Sequence, residues 1–445
     1  MWKERINKIN FLVLCLLSCF PVLNVKVTVV LIIAFTVISV LSGLAYGLKT
    51  INSIRIKEAL LLLAPFLLIF FRTYVTDRSE DALFYLEVST SLLVFPVAFF
   101  LSPVAYTKKQ KDLLCLLFAG ATFAIVFFGE IQTAIKLMEH VGPGKFWPAI
   151  SDVFKDASFP YLFRTEFEEQ THLHPTYASV FLGISILLLL DRFLKTFQTI
   201  PPRGKMFFVL ALGAFILMQA MLASRTPFIA TMICSIVLIF IYQRKKIYTL
   251  YALAGILFLS ILMMWLVPSI SSRFKEISFS NTGMPSATNE NSFNIRVGIY
   301  QCSTTIISEN WLWGIGPGNV QKELNRCYSR ISKEVYDQKN YNTHNQFLDY
   351  WAGIGIAGPL LLLVILGYTS VKNLRLKNPV VLVLSLLFLI AMLTENILIR
   401  QNGIVTFAYF TSLFFFTRCA TDEKVKPLKT SNNLSSVADE STNLL

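Results

Sequence analysis

Three cationic residues have the types and positions that phosphate chemistry needs. Arg225 lies in Ala223-Ser224-Arg225-Thr226-Pro227, Arg296 in Asn294-Ile295-Arg296, and His344 in Thr343-His344-Asn345-Gln346. Arginine suits phosphate because its planar fork binds two oxygens at once and stays charged. Histidine can be neutral near pH 7 and take a proton. Two arginines beside a histidine at a membrane surface would suit a lipid diphosphate donor and a hydroxyl acceptor. Each residue also has an ordinary reading. Arg225 could be a snorkelling interface anchor, and His344 a contact at the start of a helix.

Other strings carry weaker chemistry. His172 and His174 lie beside Glu168 and Glu169, but no two His sit at zinc-site spacing with Cys and no HExxH occurs. A helix start with Pro175 in its first turn accounts for this string better than a metal does. Asp77-Arg78-Ser79-Glu80-Asp81 could offer oxygen ligands to a divalent cation, or form a solvated turn. Gly314-Ile315-Gly316-Pro317-Gly318-Asn319 lacks the strand and the Lys-Ser/Thr of a phosphate loop. It reads as a tight turn between two helices. Of seven cysteines, Cys15, Cys19, Cys115, Cys234 and Cys419 fall in or beside apolar runs and read as small packers. Cys302 and Cys327 share one long polar segment, where an oxidising compartment would permit a disulfide. The sequence leaves that pairing open.

The elements that must position these residues are apolar helices. Of 445 residues, 54% are apolar and 15% charged, against about 25% charged in soluble domains. That excludes a soluble globular chain and a disordered one. Long unbroken runs, rather than alternation, argue against an outer-membrane barrel. The net charge of +13 does not point to nucleic acid, because in a membrane protein its distribution between loops matters more than its sum. Twelve candidate spans lie near 9–25, 27–47, 57–72, 84–105, 112–137, 174–190, 206–223, 227–242, 248–267, 352–371, 379–396 and 403–419. The segments around Lys3–Lys8, Lys49–Lys57, Lys108–Lys111, Arg192–Lys205, Arg244–Lys246 and Lys372–Lys377, with the tail from Arg418, hold more than half of the 40 Lys and Arg. The positive-inside rule then places both termini in the cytoplasm. The basic start and the run Phe11–Phe20 resemble a signal peptide, but a first membrane helix is the preferred reading.

This organisation gives N-terminal membrane helices over 1–137, an outer loop over 138–173, and a membrane core over 174–419. The core includes a large outer loop over 269–349. A tail over 420–445, rich in Ser, Asn and Lys, reads as disordered. The large loop contains helix-like stretches at Ile295–Ser308 and Val320–Lys333. Arg225, Arg296 and His344 all fall on the outer face. The competing class is a transporter or flippase, for which Glu87 and Glu130 are the best residues. No internal repeat supports it.

Read together, several strings resemble the O-antigen ligase family of polytopic membrane proteins. They are Ser224-Arg225, Asn294-Ile295-Arg296 with Trp311-Leu312-Trp313-Gly314-Ile315-Gly316-Pro317-Gly318, Thr343-His344-Asn345-Gln346-Phe347-Leu348, and Gly353-Ile354-Gly355-Ile356-Ala357-Gly358. The resemblance covers roughly residues 170–400. It implies an all-α integral membrane protein with about twelve transmembrane helices, GT-C-like, and a large helical periplasmic loop between spans nine and ten. It further implies a metal-independent, inverting glycosyltransferase of the bacterial inner membrane, needing no cofactor. The donor would be a glycan on undecaprenyl diphosphate, and the acceptor lipid A-core in lipopolysaccharide biosynthesis. A polysaccharide polymerase or a protein O-glycosylating ligase would share the motifs. By position, His344 matches the general base and Arg225 and Arg296 the diphosphate ligands. His174, Asn345 and Arg164 are secondary candidates.

Overall fold

The computed structural model describes residues 2–46, 53–76, 78–102, 106–141, 159–242, 284–285, 292–336 and 340–416. Among them the chain is helical and holds no strand. The helices are α1 (Trp2–Ser18), α2 (Val25–Tyr46), α3 (Ser53–Thr76), α4 (Glu80–Ser89), α5 (Ser91–Leu101), α6 (Lys108–Val141), α7 (Phe159–Thr171), α8 (Pro175–Thr196) and α9 (Pro202–Met221). They continue as α10 (Arg225–Tyr242), α11 (Ser292–Asn310), α12 (Val320–Ile331), α13 (Lys333–Tyr336), α14 (Gln346–Ile354), α15 (Ala357–Arg375), α16 (Val380–Met392) and α17 (Gln401–Phe416). Among the described residues eight stretches are long and apolar enough to cross a membrane, so the chain has the make-up of a multi-pass membrane protein.

The expected twelve spans are revised in detail. The expected span 9–25 is instead α1 followed by a 3₁₀ turn at Phe20–Val22. Pro21 cannot donate an amide and ends the helix there. The expected span 84–105 divides into α4 and α5, which meet at Thr90. The apolar helix α16 has only 13 residues, and α1 has 17. The expected span 248–267, the tail 420–445 and the stretch 142–158 lie outside the described residues.

The main core forms where aromatic and polar side chains lock helices from distant parts of the chain. Phe20 meets the rings of Phe118, Phe181 and Tyr409 at 5.3, 5.7 and 5.9 Å. Ser18 shares a 2.7 Å hydrogen bond with the buried Tyr409 hydroxyl. Helices α8, α9 and α10 are joined by the fully buried Gln219, whose amide donates to Ser179 O at 2.8 Å and Thr231 Oγ1 at 2.9 Å. A Cβ at Gly183 would collide with Thr231 Oγ1 and lie 3.3 Å from Gln219 Nε2. This close approach fixes where the N-terminal halves of α8 and α10 come together. Gly183→Val should therefore force the three helices apart at a cost of about 1–3 kcal/mol. A thermal midpoint equal to wild type in detergent-solubilised protein would contradict this packing.

Candidate active site

The segment α11–α14 forms a lobe with its own apolar core of Ile299, Cys302, Ile306, Ile307, Val320, Leu324 and Tyr328 among others. Cys302 and Cys327 are disulfide-bonded, with Cα atoms 5.7 Å apart, tying α11 to α12. Tyr328 stacks on Tyr336 at 4.5 Å. The Tyr328 hydroxyl donates to Tyr341 O at 3.2 Å, and Gln321 Nε2 to the same oxygen at 3.0 Å. These bonds hold the strand of chain that leads into His344.

Two glycine-rich strings clasp each other on the far side of the lobe. Ile315 N donates to Ala352 O at 2.8 Å, Gly316 N to Gly353 O at 2.9 Å, and Ile356 N to Trp311 O at 3.0 Å. Gly314, Gly316 and Gly355 all have positive φ, and a Cβ on Gly355 would overlap the Leu312 carbonyl. Only glycine tolerates both conditions without strain. The 314–319 string is thus a turn into a 3₁₀ element at Pro317–Asn319. Side-chain hydrogen bonds tie the lobe to the N-terminal helices. Arg72 on α3 donates to Gly314 O at 2.8 Å, and Tyr85 on α4 donates to Asp349 Oδ2 at 2.7 Å. Ser79 of the acidic hairpin caps α4 by accepting from Ala82 N, with Glu80 and Asp81 in the first turn, where the helix dipole favours negative charge.

His344 and Arg296 meet where two strings run side by side. His344 Nδ1 lies 3.3 Å from Glu395 Oε2. Asn396 Oδ1 accepts from Thr343 Oγ1 at 3.1 Å and from Asn345 N at 2.8 Å. Gln346 Oε1 accepts from Leu398 N at 2.6 Å. Thr343 and Asn345 thus share Asn396, while His344 meets Glu395 and Gln346 meets Leu398. Arg296 on α11 reaches the same carboxylate, with its NH2 3.3 Å from Glu395 Oε1. Glu395 thus holds Arg296 with one oxygen and His344 with the other. His344 has φ +44°, an uncommon conformation for a non-glycine residue. It is held there by its amide donating to Asn342 Oδ1 at 2.9 Å. Asn345 caps α14, its Oδ1 accepting from Phe347 N and Leu348 N.

The charges explain one another. Burial alone would raise the Glu395 carboxyl. The hydrogen bond and charge of His344, with the charges of Arg296 and His174, outweigh it and hold Glu395 below its usual range. His174 is shifted the other way: burial lowers it most, Glu168 opposes, and Arg164 adds to the lowering. The side chains of His344 and Glu395 keep 26% and 25% exposure and that of Arg296 36%, so the group is reachable from outside the protein.

The other flank is built at the N-terminus of α8. His174 is its cap, with Nδ1 accepting from Thr176 N at 3.2 Å and Pro175 in the first turn, as the sequence suggested. Tyr177 donates its hydroxyl to Asn396 O at 3.1 Å. On the opposite side, Ser224 lies 3.5 Å from Thr176, oxygen to oxygen, and the next residue, Arg225, opens α10. Arg164 on α7 donates from NH1 to Leu222 O at 3.1 Å and to Ala223 O at 3.3 Å. The first turn of α8 therefore joins the Arg225 turn to the Glu395–Asn396 turn. Among the transporter candidates, Glu87 is exposed and Glu130 buried on α6. Glu395, Asn396 and Tyr177 escaped the sequence reading. The signal was present, because Thr394-Glu395-Asn396 puts a charge and an amide at the end of an apolar run.

An all-helical membrane protein with a lobe that gathers Arg, Glu and His defines the class. Residues 206–363 match the family model described as O-antigen ligase, which supports assignment to that family over this stretch. The match includes Arg225, Arg296 and His344 and stops before Glu395. No curated protein matches the chain.

The Glu395 shift has a pH consequence. Because its folded pKa is depressed from 4.5, its contacts add full stability above about pH 4.5 and lose it as pH falls through the depressed value. The acid-side fall in thermal midpoint should shrink in Glu395→Gln over that window. An identical acid limb in the variant would remove Glu395 from this balance.

Proposed function

We propose that this protein transfers a glycan from an undecaprenyl-diphosphate carrier to an acceptor hydroxyl on the periplasmic face of the bacterial inner membrane. The proposed acceptor is lipid A-core, in lipopolysaccharide biosynthesis, and both termini lie in the cytoplasm. The observation that carries the reading is the single carboxylate of Glu395 shared between Arg296 and His344. The family match over 206–363 supports glycan ligation of this broad kind. The Cys302–Cys327 bond favours an oxidising compartment for the lobe.

In this mechanism Arg225 and Arg296 bind the diphosphate. Arg296 gives Glu395 one edge of its fork and keeps further donors for phosphate oxygens. Glu395, held ionised, accepts from His344 Nδ1, and in the neutral imidazole with its proton on Nδ1 the Nε2 lone pair is the one that accepts. The acceptor O–H gives its proton to Nε2 while its oxygen bonds to the anomeric carbon. The bond from that carbon to the diphosphate oxygen breaks, and the diphosphate leaves with the electron pair. Charge growing on the leaving group is met by the arginines. One displacement inverts the anomeric carbon, without a metal or cofactor.

The test uses purified full-length protein in nanodiscs with an undecaprenyl-diphosphate-linked glycan and lipid A-core. Glycan should move onto lipid A-core. His344→Ala should lower the rate by about 10²–10⁴ while donor binding persists, and Arg296→Lys should weaken donor binding because the fork is lost. A folded His344→Ala protein that keeps most of its rate would overturn the base assignment. Glycan lengthening on the carrier, with lipid A-core untouched, would make the protein a polymerase.

A further inference from the structure

Arg225 follows an unusual turn. Helix α9 ends at Met221, and Ala223 then takes φ +47°. The first residue beyond a helix commonly adopts this left-handed conformation, and glycine usually occupies it. Here the residue is alanine, whose Cβ makes the conformation costly. The turn's own backbone bonds are a donation from Leu222 N to Met218 O at 3.3 Å and from Ala223 N to Ala220 O at 3.0 Å. A cation brought from another helix meets the carbonyls of the turn: Arg164 NH1 lies 3.1 Å from Leu222 O and 3.3 Å from Ala223 O. A positive charge at a helix C-terminus is favourable on its own account.

Arg164 is one turn from Glu168 on α7, and residues four apart share a helix face. Glu168 Oε2 is 4.0 Å from His174 Nε2. One face of α7 therefore touches both the turn before Arg225 and the cap of α8, to which Ser224 points through Thr176. Arg164 was a secondary site candidate by sequence, and its NH1 donates to the backbone carbonyls of Leu222 and Ala223.

We infer that Arg164 is a positioning residue: it holds Ala223 in the left-handed turn between α9 and α10 and so sets the direction in which Arg225, at the start of α10, meets the diphosphate. The inference rests on the proposed role of Arg225. It makes α7, from the first outer loop, part of the donor site without touching the donor.

A glycine at position 223 adopts the turn with no Cβ penalty, so it should remove the need for Arg164. The experiment measures the Kd of undecaprenyl diphosphate for the full chain in nanodiscs. Arg164→Met should weaken binding about tenfold, the size of losing one charge-assisted hydrogen bond, with little change in thermal midpoint. Arg164→Lys, which still donates, should fall between. Ala223→Gly should restore most of the affinity to Arg164→Met and change the wild-type Kd little. An unchanged Kd in Arg164→Met overturns the inference. So does a loss that Ala223→Gly fails to restore, which would mark Arg164 as a direct ligand. Arg225→Lys in the same series separates the two failures. Normal binding there removes Arg225 from the donor site, whereas weak binding there beside an unrestored Arg164→Met removes only the positioning role.

Discussion

Asn396 and its neighbour Glu395 carry the arrangement on which the rest of the site depends. The amide side chain of Asn396 takes hydrogen bonds from Thr343 and from the backbone of Asn345, while its carbonyl takes one from Tyr177. Glu395 takes the side chains on either side of that seam. A short polar turn after α16 is thus read by the lobe and by α8 together. Buried polar groups are costly unless paired. Here Thr343, Asn345 and Gln346 find partners on the 396–398 string only when the two segments lie side by side, so their relative placement is selected by that cost.

The lobe can present His344 in this way because it is stiff. Its small core is braced by a disulfide and by a stacked tyrosine pair. Its glycine clasp lets two backbones approach as side chains would not allow. A left-handed histidine is strained, and such strain persists only where the surroundings hold it. Left-handed residues recur around the site, at His172, Ala223 and His344, and each stands within two residues of a candidate group. That clustering agrees with a site whose geometry is set before any substrate arrives.

Electrostatics follow from this placement. Arg296 and the potentially cationic His344 and His174 all act on one carboxylate. The carboxylate restrains two of them without neutralising the whole group. A diphosphate would meet fork-shaped donors already oriented, which lowers the ordering cost of binding. The side chains of His344 and Arg296 stay partly exposed, so the group can be reached from outside the protein.

The sequence by itself determined the class of protein. Long apolar runs can only be helices in a membrane, because backbone polar groups there must be satisfied within the segment. The helix start at Pro175, the glycine turn at 314–318 and the helical character of the large loop were legible for similarly local reasons, whereas the expected span 352–371 is split between Gln346–Ile354 and Ala357–Arg375. The strings that resemble the ligase family marked Arg225, Arg296 and His344. Only the tertiary structure decided which residues act together. Glu395 lies 51 residues from His344 and 99 from Arg296, and no local rule links them. The two sulfurs of the disulfide, the breaks at Pro21 and Thr90, and the use of Arg164 as a backbone clamp were likewise undecided. Each depends on a distance between segments that the chain brings together only when its helices pack.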